Sequence, residues 1–298
     1  MATRSELAIK REKYIREQEA ILLKKVSGVE KQLYKSIFDK IIKGLDESNG
    51  KIVSNGKNID LVTAIDKIFK DLQGDELLKI IKGFSTGLTG VQQLNEAYFK
   101  AIEEDKKKLA KITQQSNEAT KKRLGITDKG GIVKKGFLDK LVKDKTVIQK
   151  IKKETYKAIT SGRSLEDYKS KIKTMIQGTD KVNGELVRHF DTFARDAFNQ
   201  VDRTTQKFYA DKLDLDAFIY AGGTINASRC FCINHNGKVY TREESQEWGD
   251  DLMGTCQPIW DESVDGKYQP LVMLGGYNCR HSLNWISSVE AKRRRKDL

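Results

Sequence analysis

Four cysteines and two of the three histidines lie in the last third of the chain: Cys230, Cys232, Cys256 and Cys279, with His235 and His281. Thiolate and imidazole are the donors of tetrahedral zinc shells, so Cys230, Cys232, Cys256, Cys279 and His281 are the candidate metal ligands. Their spacing departs from a zinc knuckle. One residue separates Cys230 from Cys232, and on a strand that places both thiols on one face at an awkward separation. The competing expectation is a set of buried, reduced thiols that fill small gaps in a core. A nucleophilic cysteine needs a histidine base oriented by a third group. Cys279 and His281, two apart on a strand, would share a face without converging, so no catalytic pair is expected and the chain reads as a non-enzyme.

Other motifs carry less chemistry. Gly222-Gly223 and Gly275-Gly276 stand outside any phosphate-loop context and predict tight turns or close backbone approach. Arg242-Glu243-Glu244 echoes an ADP-ribosyltransferase acidic pair, but adjacent charges at a helix start account for it equally. Lys292, Arg293, Arg294, Arg295 and Lys296 form a basic tail expected to be disordered, either a nucleic-acid contact or a solvated terminus.

The elements that must position these residues change character near residue 215. Both prolines (Pro258, Pro270), all three tryptophans (Trp248, Trp260, Trp285) and all four cysteines lie beyond residue 220. Residues 1–214 hold 45 Lys/Arg against 31 Asp/Glu, whereas residues 215–298 hold 10 against 11, so the positive excess belongs entirely to the first part. An excess of that kind suits phosphate backbones or acidic protein surfaces, and it also suits simple solvation of lysine-rich helices. No run of eighteen apolar residues is present, and Met1 to Glu6 lead into charged sequence, so neither a membrane span nor an export signal is expected.

Leu22, Val26, Val29, Leu33, Ile37, Ile41 and Leu45 recur every three to four residues and predict one stripe of a long helix. A polar stretch from Glu47 to Lys57 interrupts it, and a second helix follows behind a cap at Asn58 or Asp60. Leu77 to Ile81 predict a short helix, with Gly83, Gly87 and Gly90 marking a flexible turn before a helix from Val91 toward Arg123. Further helices are predicted over 137–159, behind the Ser164-Leu165-Glu166-Asp167 capping box, and from Leu186 to Phe208. Beyond Leu213, the runs 217–220, 238–241 and 284–286 predict short strands, with a helical turn after Thr241. The fold expectation is mainly α: a long helical N-terminal body over 1–125, a helical region over 126–214, and a small α+β C-terminal domain over 215–298.

Several of these runs together resemble the C-terminal domain of the phage minor head proteins, the MuF or head-morphogenesis family. They are Phe193-Ala194-Arg195-Asp196-Ala197-Phe198-Asn199-Gln200, Tyr220-Ala221-Gly222-Gly223, Ser228-Arg229-Cys230-Phe231-Cys232, the run from Gly237 to Glu244, and Gly275-Gly276-Tyr277-Asn278-Cys279-Arg280-His281-Ser282. The resemblance covers about a third of the chain and is strongest in the closing Asn-Cys-Arg-His. It implies a virion component of a tailed bacteriophage, made in the host cytoplasm and carried at the portal vertex. Its partners would be the portal, other head proteins and packaged double-stranded DNA, with no membrane and no small-molecule substrate. The alternatives are a DNA-binding packaging protein outside the virion, and a toxin-like enzyme on a minor-head framework. Under this resemblance Cys232, Cys279, Arg280 and His281 form a structural cluster closing residues 215–298, with Arg280 as a rigid fork of donors and the tryptophans supplying bulk. No cofactor is expected other than the candidate zinc.

Overall fold

The computed structural model describes residues 3–72, 76–127, 131–226, 228–250, 267–276 and 279–298. Cys256, Pro258 and Trp260, Gly74 and Gly130, and the Tyr277-Asn278 part of the closing motif lie outside them. The described chain is mainly α-helical. It divides into two units, each assembled from separated segments: Met1–Gln18, Thr86–Lys122 and Ala194–Leu298 in the first, Glu19–Ser85 and Arg123–Phe193 in the second. Among the described residues no helix is long and apolar enough to cross a membrane.

Among its described residues the second unit is helical apart from one hairpin and isolated bridges. The predicted stripe lies on α1 (Arg4–Lys40) as far as Ile37, with Val26, Leu33 and Ile37 fully buried, while Ile41 and Leu45 are buried beyond the end of the helix. The polar stretch after it folds as strands β1 (Glu47–Ser48) and β2 (Lys51–Ile52), turned by Asn49 and Gly50 with positive φ. That turn is the left-handed geometry Asn-Gly adopts at low cost. Helix α2 (Gly56–Leu72) is capped by Asn55, whose Oδ1 accepts from Asn58 N at 2.8 Å. Asn58, expected as the cap, is instead fully buried and ties Asp46 and Val53 together. The predicted 137–159 helix is two, α5 (Phe137–Val142) and α6 (Thr146–Thr160), parted where Asp144 Oδ1 accepts from Thr146 N. Helix α6 packs on α2 and on α7 (Leu165–Gln177), whose cap is Ser164 as predicted, with Oγ accepting from Asp167 N.

Helix α3 (Leu78–Lys100) runs straight through Gly83, Gly87 and Gly90, so the expected turn is absent. Close packing explains two of these glycines. A Cβ on Gly90 would stand 2.1 Å from the Tyr14 hydroxyl, and one on Gly87 would stand 3.2 Å from Phe198. They are packing glycines inside a helix, with the propensity cost offset by close approach. The next break falls instead at 101–105, where Asp105 Oδ1 accepts from Lys107 N and Lys108 N to start α4 (Lys106–Leu124).

The first unit is built on a three-stranded antiparallel sheet in the order β4-β3-β5, with β3 (Ala217–Ala221) central between β4 (Val239–Thr241) and β5 (Ser282–Ile286). These are the three predicted strands. Phe218, Tyr220 and Trp285 on one face pack with Phe231, Trp248 and Leu274, the last just after the one-turn helix α10 (Pro270–Met273). The same core includes Ala8 of α1, Tyr98 and Phe99 of α3, Leu109 of α4, and Tyr209 of α8 (Glu185–Lys212). Phe99 and Tyr209 stack at 4.6 Å, and Tyr98 Oη donates to Trp285 O at 2.7 Å. The start and end of residues 215–298 do come together in the β3–β5 pair, but their core is shared with these helices, and the compact units are not the three consecutive regions divided at 125 and 214. So short a segment buries too little apolar surface alone and recruits the helices for the rest.

The tail is ordered. Helix α11 (Ser288–Arg294) is capped by Ser287, whose Oγ accepts from Glu290 N, and Arg295 pairs with Glu244 and Asp297. Lys292, Arg293 and Lys296 are exposed, while Arg294 is held by Glu290.

Candidate metal centre

Three side chains from distant positions meet behind the sheet. Cys232 stands on the short helix α9 (Cys230–His235), while Cys279 and His281 precede β5, and all three are at most 5% exposed. Cys232 Sγ lies 3.9 Å from Cys279 Sγ, and Cys279 Sγ lies 3.7 Å from His281 Nδ1. The three donor atoms sit within 4.8 Å of one another. Tyr220 Oη donates to Cys232 Sγ at 3.4 Å and stands 3.6 Å from Cys279 Sγ, with its ring stacked on the His281 imidazole. Cys279 and His281 thus converge despite their separation of two, because they sit in irregular backbone before the strand begins and not within it.

Cys230 does not join them. On a helix, residues two apart point about 200° apart. Cys230 is accordingly exposed while Cys232 is buried, and Cys230 is disulfide-bonded, which removes its sulfur from the candidate set. Cys256 lies outside the described residues. His235 is occupied elsewhere: its Nδ1 donates to Phe231 O at 2.8 Å and its ring stacks on Phe231.

Backbone and glycines hold the cluster in place. Arg203 of α8 donates from Nε and Nη2 to His281 O at 3.0 and 2.8 Å, from Nη1 to Val272 O at 3.2 Å, and from Nη2 to Cys279 O. This is the fork expected of Arg280. Arg280 itself is exposed and makes no hydrogen bond or ion pair among the described residues. A Cβ at Gly275 would come 2.5 Å from Cys232 Sγ, and one at Gly222 would come 2.6 Å from His281 Cδ2. Both glycine pairs therefore include a residue set by close approach, as the sequence predicted, and neither Gly222 nor Gly275 has positive φ.

The electrostatics distinguish the two thiols. The hydrogen bond from Cys232 holds the Cys279 thiol well below the usual thiol range, and Arg203 and His281 act in the same direction against its burial. That same bond, with burial, pushes Cys232 up. Burial and then the two neighbouring sulfurs push the Tyr220 phenol well above its ordinary value. Beside the cluster opens a cleft of about 380 Å³, walled by Cys232, Cys279 and His281 and by the arginines Arg16, Arg195, Arg229 and Arg280. Arg229 Nη1 donates to Gly275 O, and Arg16 lies 3.8 Å from Glu12. Arg203 is 5% exposed, and nothing in its local sequence marks it as the residue that clamps the cluster.

No protein family, no curated protein and no solved structure matches this chain.

Proposed function

We propose that the chain is a minor head protein of a tailed bacteriophage, a structural component carried at the portal vertex and lying against portal subunits and packaged DNA. The observation that carries the reading is convergence. The residues that resemble the head-morphogenesis family are scattered from Phe193 to Ser282, yet Asn199, Tyr220, Cys232, Gly275, Cys279 and His281 meet around one cluster. A family pattern that marks one packed centre is what a shared domain core produces. The segregated positive charge supports the DNA side of the reading. Quantitative mass spectrometry of mature heads is the test: a few copies per particle are expected, and complete absence overturns the proposal.

The second reading, a packaging protein outside the virion, shares the charge but not the location. Sequence-independent binding of the full chain to random duplex, weakening steeply with salt as condensed counterions are released, is expected under both. Binding combined with absence from heads favours the second. The whole chain is required, because residues 215–298 share their core with the helices.

A further inference from the structure

We propose that Cys232, Cys279 and His281 bind a zinc ion whose fourth coordination position faces the arginine-lined cleft. The inference stands on side-chain geometry and is independent of the head-protein reading. With Zn–S of about 2.3 Å and Zn–N of about 2.0 Å, tetrahedral ligands stand about 3.8 Å apart for two sulfurs and about 3.5 Å for sulfur and nitrogen. Two of the three separations, 3.9 and 3.7 Å, stand close to these values, and all three donor atoms lie within 4.8 Å of one another. The sulfurs are far beyond the S–S bond of about 2.05 Å, and both are free thiols.

The surroundings are built for this spacing. Glycine at 275 lets the backbone pass directly over the sulfurs, and glycine at 222 does the same for the imidazole. Arg203 fixes the carbonyls of both Cys279 and His281, so two of the three ligands sit on one clamped segment. The Tyr220 hydroxyl is placed to donate to ligand sulfurs, the outer-shell role that orients thiolates around a metal. His281 Nε2 is buried and has no hydrogen-bond partner among the described residues. Ligation through Nδ1 would take the place of its 3.7 Å contact with Cys279 Sγ and leave the ring proton on Nε2.

The donor set selects the ion. Two thiolates and an imidazole are soft-to-borderline ligands suited to zinc, whereas calcium and magnesium need oxygen. Charge also permits it. Both sulfurs ligate as thiolates, and two thiolates cancel the dication, so the neutral centre is not opposed by the neighbouring arginines. Three protein ligands with one side open to a cleft leave the fourth position to a ligand from solvent.

The full chain, reduced and stripped with chelator, is titrated with zinc alone and with cobalt alone, with circular dichroism confirming the fold. About one equivalent of either ion is expected, and cobalt should give thiolate-to-metal charge transfer with the intense visible bands of tetrahedral coordination. Cys279→Ser and Cys232→Ser should each weaken zinc binding by at least about tenfold, since each removes a direct ligand and outer-shell changes alone cost that much. The proposal is overturned if the folded wild-type chain takes up no zinc, or if cobalt binds without thiolate charge transfer. Because the cobalt spectrum is read on the wild-type chain, misfolding of a serine variant leaves the test intact.

Discussion

Both units bury a charged side chain from α1, and they do so in opposite ways. In the first unit Arg11 has no exposed surface, yet it is surrounded by partners: Nη1 donates to Asn95 Oδ1 at 3.1 Å, and Nη2 donates to Asn284 Oδ1 at 2.7 Å and to Ser282 Oγ at 3.4 Å. Its Nε lies 3.2 Å from Asp202 Oδ1, an ion-pair contact whose direction is too poor for a hydrogen bond. Asp202 in turn accepts from Asn95 and Gln206 at 2.7 Å. In the second unit Glu30 is 2% exposed and forms no ion pair among the described residues; its Oε1 accepts from Val187 N at 2.8 Å, in the first turn of α8. Burial, offset in part by the Val187 and Leu186 amides and by Arg188, pushes its carboxyl up to about 7. One unit meets its buried charge with a counter-ion, and the other shifts its carboxyl toward the protonated form.

The largest expected effect comes from breaking the pair. Asp202→Ala leaves Arg11 charged, buried and short of its counter-ion, and such half-removed pairs typically cost about 3–5 kcal/mol. Replacing both residues with apolar side chains should recover much of that loss, because the desolvation penalty disappears with the charge. Urea unfolding of the single and double variants measures both. A single-variant loss below about 1 kcal/mol would mean that Asn95, Asn284 and Ser282 satisfy Arg11 unaided, and the contrast between the units would weaken.

Glu30 should show itself through pH. Its folded pKa of about 7 lies above the ordinary 4.5. A raised pKa means that the group's contribution to stability is fully present below 4.5 and is lost as pH rises through 7, because the unfolded chain ionises first. The total change is at most about 3 kcal/mol. Glu30→Gln keeps an oxygen for the Val187 amide and removes the titration, so its stability relative to wild type should grow across that window. Parallel curves for the two proteins would show that Glu30 ionises normally in the fold.

The same contrast governs what the sequence disclosed. The α1 stripe and the three strands were legible because local period determines which face is buried. The glycines of α3 were misread because glycine also punctuates chains, and only the tertiary approach of Tyr14 and Phe198 shows that these sit within a helix. The two cysteines near 230 were placed on a strand, and the helix that forms there turns Cys230 away from Cys232. Which arginine serves as the fork, Arg203 or Arg280, depends on contacts some eighty positions apart in the chain, beyond any local pattern. The ordered tail did carry a signal: Ser287-Ser288-Val289-Glu290 is a capping-box sequence, overlooked beside the run of basic residues that follows.

Helix capping provides the smallest and most controlled comparison, because each unit has a serine cap of the same type. Ser164 Oγ accepts from Asp167 N at 3.2 Å at the start of α7, and Ser287 Oγ accepts from Glu290 N at 3.3 Å at the start of α11. Both serines are half-buried, so removal of either hydroxyl exposes a similar helix end. Serine to alanine at a cap typically costs about 1 kcal/mol. Ser164→Ala should lower global stability by about that amount, because α7 spans 13 residues, buries Tyr168, Ile172 and Ile176, and is joined to α6 through the Tyr168–Thr155 bond. Ser287→Ala should lower it by less, about 0.5 kcal/mol or under, the low end for caps. Helix α11 has only 7 residues, and the cap's neighbour Glu290 is independently held by Arg4 and Arg294. Its loss should appear instead as faster hydrogen exchange confined to residues 288–291, since short terminal elements open locally at little cost to the whole. Equal global losses for the two variants would show that α11 unfolds only with its unit, and the basic residues it carries would then be as firmly placed as the core beneath them.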